Sequence, residues 1–182
     1  VNVLVMDTEV YSNTGGQASK ATPIAAVAKF AQAGKRMGKK NLGLMMMSYG
    51  YVYVASVSLG ANRNQTLKAM MEAEAYNGPS IIIAYAPCIA HGINMMKTQV
   101  EQKKACECGY WPLYRYNPEA EKPFTWETPE MKFENFQDFI RSESRYKQLV
   151  KAAPGEAEEL YAKAQKDAER RMNFMEKMAE LQ

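Results

Sequence analysis

The first nineteen residues constrain this chain most. An almost unbroken apolar run, VNVLVM, is followed at once by DTEVYSNTGGQAS. A short Val-rich run reads as a strand of a parallel sheet covered on both faces. Ending it with Asp, Thr, Glu, Ser, Asn, Thr and two glycines puts a polar, bendable loop at the strand's carboxyl end. Parallel α/β sheets bind their ligands at that edge.

The rest of the chain alternates in the same way. Thr22 and Pro23 read as an N-cap and first helical position, and Ile24, Val27, Ala28 and Ala31 continue a helix to about Gly34. Lys35, Arg36, Lys39 and Lys40 follow, where cations complement a helix dipole. A short helix over Leu42–Ser48 precedes a strand at Tyr51–Ser56. Asn64–Tyr76 reads as helix, stopped by Gly78–Pro79. Ile81–Ala86 is a buried strand, 94–107 a helix, and Tyr110–Tyr116 a strand or extended piece. This order predicts an α/β fold with a doubly wound, mostly parallel sheet. It brings two loops to the ligand edge, 7–17 and Pro87–Asn94. From Asn117, NPEAEKPFTWETPE reads as a linker. Phe133–Val150 is helical, and a long helix runs from Pro154 to about Leu181 with one apolar stripe. The expected division is an α/β domain over 1–118 and a linker with a C-terminal helical extension over 119–182.

A net charge of +3 is too mild to make nucleic acid or an anionic membrane the main partner. No apolar window approaches the ~20 residues of a membrane span, and no signal peptide is visible. Cys88, Cys106 and Cys108 cannot all pair, and a reducing cytoplasm is the simpler expectation. The chain starts at Val1, inside a strand and without an initiating Met, so a piece of something longer is expected.

The loop's chemistry suits an anion and a hard cation. Thr8, Ser12, Asn13 and Thr14 carry neutral oxygens, Val10 offers a carbonyl, and Mg²⁺ takes oxygens shared with substrate phosphates. Gly15 and Gly16 can form a backbone nest, and a helix starting near Thr22 would add a positive dipole end. The same residues also make an ordinary turn, so composition leaves both readings open. Neither G-x-G-x-x-G nor G-x-x-x-x-G-K is present. Cys88 reads as a small buried hydrophobe or as half of a nucleophile pair with His91, which lacks a third member. Cys106 and Cys108 read as inert thiols. Lys35–Lys40 reads as a solvated helix end or as a docking patch for an acidic partner. The Met45–Met47 run reads as gap-filling core, and Tyr49, Tyr51 and Tyr53 as alternating strand positions.

Five segments carry a resemblance: VNVLVMDTEVYSNTGGQASKATP, GKK, YGYVYVASVS, GPSIIIAYAPCIAHG and GYWPLYRYNP. Together they resemble the thiamine-diphosphate-binding part of the pyruvate:ferredoxin (flavodoxin) oxidoreductases, within the 2-oxoacid:ferredoxin oxidoreductase family. The likeness runs from Val1 to about Pro118 and more loosely beyond. It implies a thiamine-diphosphate-binding fold without its first part, because the Gly-Asp-Gly half of the cofactor motif is absent. It also implies a CoA-dependent oxidative decarboxylation of pyruvate to acetyl-CoA and CO₂, with electrons passing through [4Fe–4S] clusters to ferredoxin or flavodoxin. By the same resemblance Thr8 supplies a side-chain oxygen and Val10 a main-chain oxygen to Mg²⁺. Ser12, Asn13 and Thr14 lie against the cofactor, with Asn13 the candidate catalytic residue. Cys88 is the fourth ligand of the cluster nearest thiamine diphosphate. Remaining partners would be other domains of the same enzyme and a second copy in a homodimer. A non-redox thiamine-diphosphate decarboxylase or synthase, another 2-oxoacid:ferredoxin oxidoreductase and an unrelated α/β binding module are the competing readings.

Overall fold

The computed structural model of the chain describes residues 1–181. Its centre is a five-stranded sheet built from β1 (Asn2–Asp7), β4 (Tyr53–Val57), β5 (Ser80–Tyr85), β6 (Tyr114–Tyr116) and β7 (Phe124–Trp126), in the order β1-β5-β4-β6-β7. β1, β5 and β4 run parallel, with Asn2 and Tyr53 both level with Ser80. β6 and β7 are added antiparallel. A separate two-stranded ribbon, β2 (Val10–Tyr11) and β3 (Gln17–Ala18), closes the loop after β1.

Helices cover both faces, as a doubly wound sheet requires. On one face, Tyr53, Ala55, Val57 and Ile82 meet Ala69 and Ala73 of α2 (Arg63–Ala75). Small residues let α2 sit close to the strands, and its larger Leu67, Met70 and Met71 face outward and are exposed. The other face holds the main core, where Val54, Ile81, Ile83 and Tyr85 share one cluster with Cys106, Trp111, Phe136, Ile140, Leu149, Leu160 and Met175. That cluster draws on α3 (Thr98–Glu107), α4 (Phe136–Ser142), α5 (Ser144–Ala152) and α6 (Ala157–Glu180), while α1 (Leu42–Met47) lies against β4. The apolar stripe expected of the last helix is this inner face: Leu160, Tyr161, Ala164, Ala168, Met172 and Met175 are buried. Met47 is buried but Met45 is not, and of the three tyrosines only Tyr53 enters the core.

Three expectations change. β1 is an edge strand: Val3, Leu4 and Met6 stay about half exposed or more, and only Val5 packs against the main core. The helix expected over residues 22–34 does not form. Its backbone groups are taken by other partners: Ala25 N–H donates to Lys35 O, Val27 N–H to Arg145 O, and Lys29 N–H to Gly16 O. Ala25 and Phe30 adopt positive φ, which no α-helix allows. Lys35 Nζ meanwhile donates to the carbonyls of Ser19 and Thr22. Finally, the Pro- and Glu-rich stretch after Asn117 contains β7, whose Phe124 is buried against Tyr114.

Candidate functional site

Parallel pairing of β1 with β5 puts the loops after Asp7 and after Tyr85 side by side. The pairing extends past the strands, since Ala86 N–H donates to Asp7 O. His91 then reaches across: its Nε2 donates to the Thr8 carbonyl at 2.9 Å. The two loops are thus joined at the carboxyl edge of the sheet.

Within the first loop, the Thr8 hydroxyl donates to the Val10 carbonyl oxygen at 3.0 Å, a bond a cation would replace, and Thr8 Oγ1 lies 3.4 Å from Ser12 Oγ. An octahedral Mg²⁺ with oxygens at about 2.1 Å holds neighbouring ligands about 3.0 Å apart. The Thr8 and Val10 oxygens therefore fit two adjacent positions around such an ion. An open cleft of about 460 Å³ begins there, lined by Asp7, Thr8, Val10 and Tyr11 on one side and by Ser19, Lys20 and Lys40 on the other. The Lys20 and Lys40 ammonium groups make no ion pair among the described residues, so the cleft presents free positive charge beside the paired oxygens. Ser12, Asn13 and Thr14 form a short 3₁₀ turn beside the cleft and do not line it. Asn13 is exposed and its side chain makes no hydrogen bond among the described residues.

Glu9, which sequence reasoning passed over, explains why those two oxygens converge. It sits between Thr8 and Val10 at φ 60°, a conformation costing a non-glycine roughly 1–2 kcal/mol. Its carboxylate is 1% exposed and receives Lys39 Nζ at 3.0 Å, Tyr110 Oη at 2.6 Å and Arg145 Nη2 at 2.8 Å. Its carbonyl accepts from Thr22 Oγ1 at 2.5 Å, and its N–H donates to Asp7 Oδ1 at 2.9 Å. Burial opposes ionisation of Glu9, yet the Lys39 and Arg145 charges and the Tyr110 hydroxyl hold its carboxyl well below the usual range. Lys39 also pairs with Asp7 at 2.7 Å and stands over the Trp111 ring. Arg145 is fixed in turn by Glu143 at 2.6 Å and lies over Tyr146. No short-range pattern announces this cluster; its members lie up to 136 residues apart.

Two expected anion-binding devices are absent. Gly15 and Gly16 do not open a nest: Gly15 N–H donates to Ser12 O at 3.2 Å and Gly16 N–H to Tyr11 O at 2.9 Å. They close the turn instead, and a side chain at Gly15 would strike Lys29 Nζ. With no helix at Thr22, the dipole end expected there is missing. Thr22 caps the Glu9 carbonyl instead.

Cys88 follows β5, half-buried, and its Sγ accepts a hydrogen bond from Ala90 N–H at 3.1 Å. That bond caps the 3₁₀ turn over Ile89–His91. Cys88 does not line the cleft, and no group of three or more His, Cys, Asp or Glu among the described residues could hold a metal by itself. Cys106 and Cys108 are buried, and burial pushes both thiols up to about 12, where they are unreactive. His91 Nδ1 faces Glu143 Oε1 at 3.8 Å, and neither atom has a hydrogen-bond partner.

A mostly parallel α/β sheet with an oxygen-lined corner at its carboxyl edge has the form in which such sheets bind ligands. The chain matches one segment of the pyruvate:ferredoxin and pyruvate-flavodoxin oxidoreductases along nearly its whole length. It is 60% identical over 186 residues to the pyruvate:ferredoxin oxidoreductase of Moorella thermoacetica, covering 99% of this chain and 16% of that protein. It is 52% identical over 185 residues to the pyruvate-flavodoxin oxidoreductase of Klebsiella pneumoniae, covering 98% of this chain and 16% of that protein. The pyruvate dehydrogenase [NADP(+)] of Cryptosporidium parvum is 45% identical, with 99% of this chain and 10% of that protein covered. The chain thus spans about one sixth of the length of the curated relatives it first matches. No protein-family model matches it.

Proposed function

We propose that this chain is the part of a pyruvate:ferredoxin or pyruvate:flavodoxin oxidoreductase that holds Mg²⁺–thiamine diphosphate and supplies one ligand of the nearest [4Fe–4S] cluster. The observation carrying the reading is the 3.0 Å spacing of Thr8 Oγ1 and the Val10 carbonyl. Thr8 and Val10 hold the cation, and Lys20 and Lys40 offset diphosphate charge in the cleft. The bound cofactor supplies the carbanion chemistry that a 2-oxoacid decarboxylation needs. The family likeness assigns Ser12, Asn13 and Thr14 to the border of the cofactor, with Asn13 the catalytic candidate, and in this chain their turn stands beside the cleft without lining it. Cys88 supplies a thiolate ligand at the end of the neighbouring strand.

Residues 1–118 form the cofactor-binding α/β part in this proposal, and 119–182 its helical extension. The remaining thiolates and the carboxylate of the metal site come from elsewhere in the enzyme, which uses coenzyme A and works as a cytoplasmic homodimer. No described helix is long and apolar enough to cross a membrane. The relatives' names include ferredoxin, flavodoxin and NADP(+) over this one segment.

The test is thiamine diphosphate affinity in the complete enzyme. Thr8→Ala weakens it about tenfold or more, the loss of one charge-assisted ligand. Unchanged affinity contradicts the assignment.

A further inference from the structure

The Thr8–Val10 oxygen pair is held at its spacing from the C-terminal part of the chain. Glu9, the residue between them, has a left-handed backbone and a side chain seated in the buried pocket formed by Lys39, Tyr110 and Arg145. Arg145 is the member that reaches furthest. Its Nη2 bonds both Glu9 and Tyr110 Oη, at 2.8 and 2.9 Å, and its Nε bonds Glu143 at 2.6 Å. Its carbonyl accepts from Val27 N–H at 2.9 Å. Its neighbour Ser144 donates to Gly92 O at 2.9 Å, so the start of α5 grips the Cys88 loop as well.

We infer that Arg145 is a positioning residue: acting through Glu9, it fixes the separation of Thr8 Oγ1 and the Val10 carbonyl and thereby sets the size of cation the corner accepts. This rests on the proposed binding of a metal–diphosphate cofactor at that corner. A pair held at 3.0 Å suits Mg²⁺. Ca²⁺, with longer bonds, wants neighbouring oxygens about 3.5 Å apart. A loop released from Arg145 tolerates the larger ion better than the smaller. A role confined to stability weakens loading by both ions alike.

The experiment measures thiamine diphosphate retention by the cofactor-depleted complete enzyme during titration with Mg²⁺ or with Ca²⁺. It compares the unaltered protein with Arg145→Lys and Tyr110→Phe. Arg145→Lys keeps the charge but cannot bond Glu9, Tyr110 and Glu143 together, and Tyr110→Phe removes one hydroxyl from Glu9 without changing volume much. In Arg145→Lys the half-saturating Mg²⁺ concentration rises about tenfold, as for one lost charge-assisted hydrogen bond, and that for Ca²⁺ less than about threefold. Tyr110→Phe shifts the ratio the same way by a smaller factor, and it carries the test if Arg145→Lys does not fold. Equal shifts for both ions, or no shift, overturn the positioning role while leaving the cofactor site standing. Failure of the unaltered enzyme to retain cofactor with either ion overturns both.

Discussion

His91 Nε2 donates to the carbonyl of Thr8 at 2.9 Å, across 83 residues of chain. Because a carbonyl only accepts, this bond fixes the proton of a neutral ring on Nε2 and leaves Nδ1 facing Glu143. His91→Phe strands the Thr8 carbonyl, and an unsatisfied buried acceptor costs about 1–3 kcal/mol. Chemical unfolding of the 182-residue chain measures that loss. His91→Asn, which can keep a donor, loses less.

Acid stability follows from the same cluster. Burial, reinforced by Arg145, pulls the His91 pKa down to about 3 from 6.5. The folded state then holds fewer protons than the unfolded one, so this contribution is lost as pH falls from 6.5. Burial pushes Glu143 up to about 7 from 4.5, against the pull of Arg145. That contribution is full below 4.5 and lost as pH rises towards 7. The two oppose each other between 4.5 and 6.5, while Tyr85, Tyr110 and Tyr146 are raised by burial and stay neutral. Below 4.5 the depressed Glu9, paired with Lys39 and Arg145, adds to the loss. Stability is therefore nearly level from pH 6.5 to 4.5 and falls steeply below. Glu143→Gln turns the level stretch into a rise with pH.

Cys88 carries the electron-transfer half of the proposal. Cys88→Ser in the complete enzyme removes one cluster's worth of iron and bleaches the matching visible absorption, with Mg²⁺–thiamine diphosphate retention unchanged. Full iron content in that variant removes Cys88 as a ligand. Cys106→Ser alters neither readout, because that thiol is enclosed by the core.

β1 offers a prediction about association. An unpaired strand edge flanked by exposed Val3, Leu4 and Met6 templates strand addition. The 182-residue chain self-associates in sedimentation velocity, and Val3→Lys, a charge on the edge strand, suppresses it.

Much of this architecture was legible residue by residue. The IIIAYA run falls in β5, the helix expected over Asn64–Tyr76 is α2, and the last helix buries the stripe its spacing describes. These signals are local: periodicity, caps and turn residues. Residues 22–34 misled because a good helical pattern was overruled by tertiary partners, Lys35 and Arg145 above all. Glu9 was illegible for a related reason. A glutamate in a polar loop looks like a solvated charge, and only the fold brings Arg145 to it. The one hint was its place between the two residues assigned to the metal. The glycine pair misled in the opposite direction, since residues able to form a nest are also able to close a turn.

The most direct measurement is a crystal structure of the complete enzyme with thiamine diphosphate and Mn²⁺ replacing Mg²⁺, located by its anomalous signal. One manganese peak is expected about 2.2 Å from both Thr8 Oγ1 and the Val10 carbonyl oxygen, touching the diphosphate. A metal–diphosphate pair seated elsewhere, with those two oxygens still bonded only to each other, contradicts the proposed metal site.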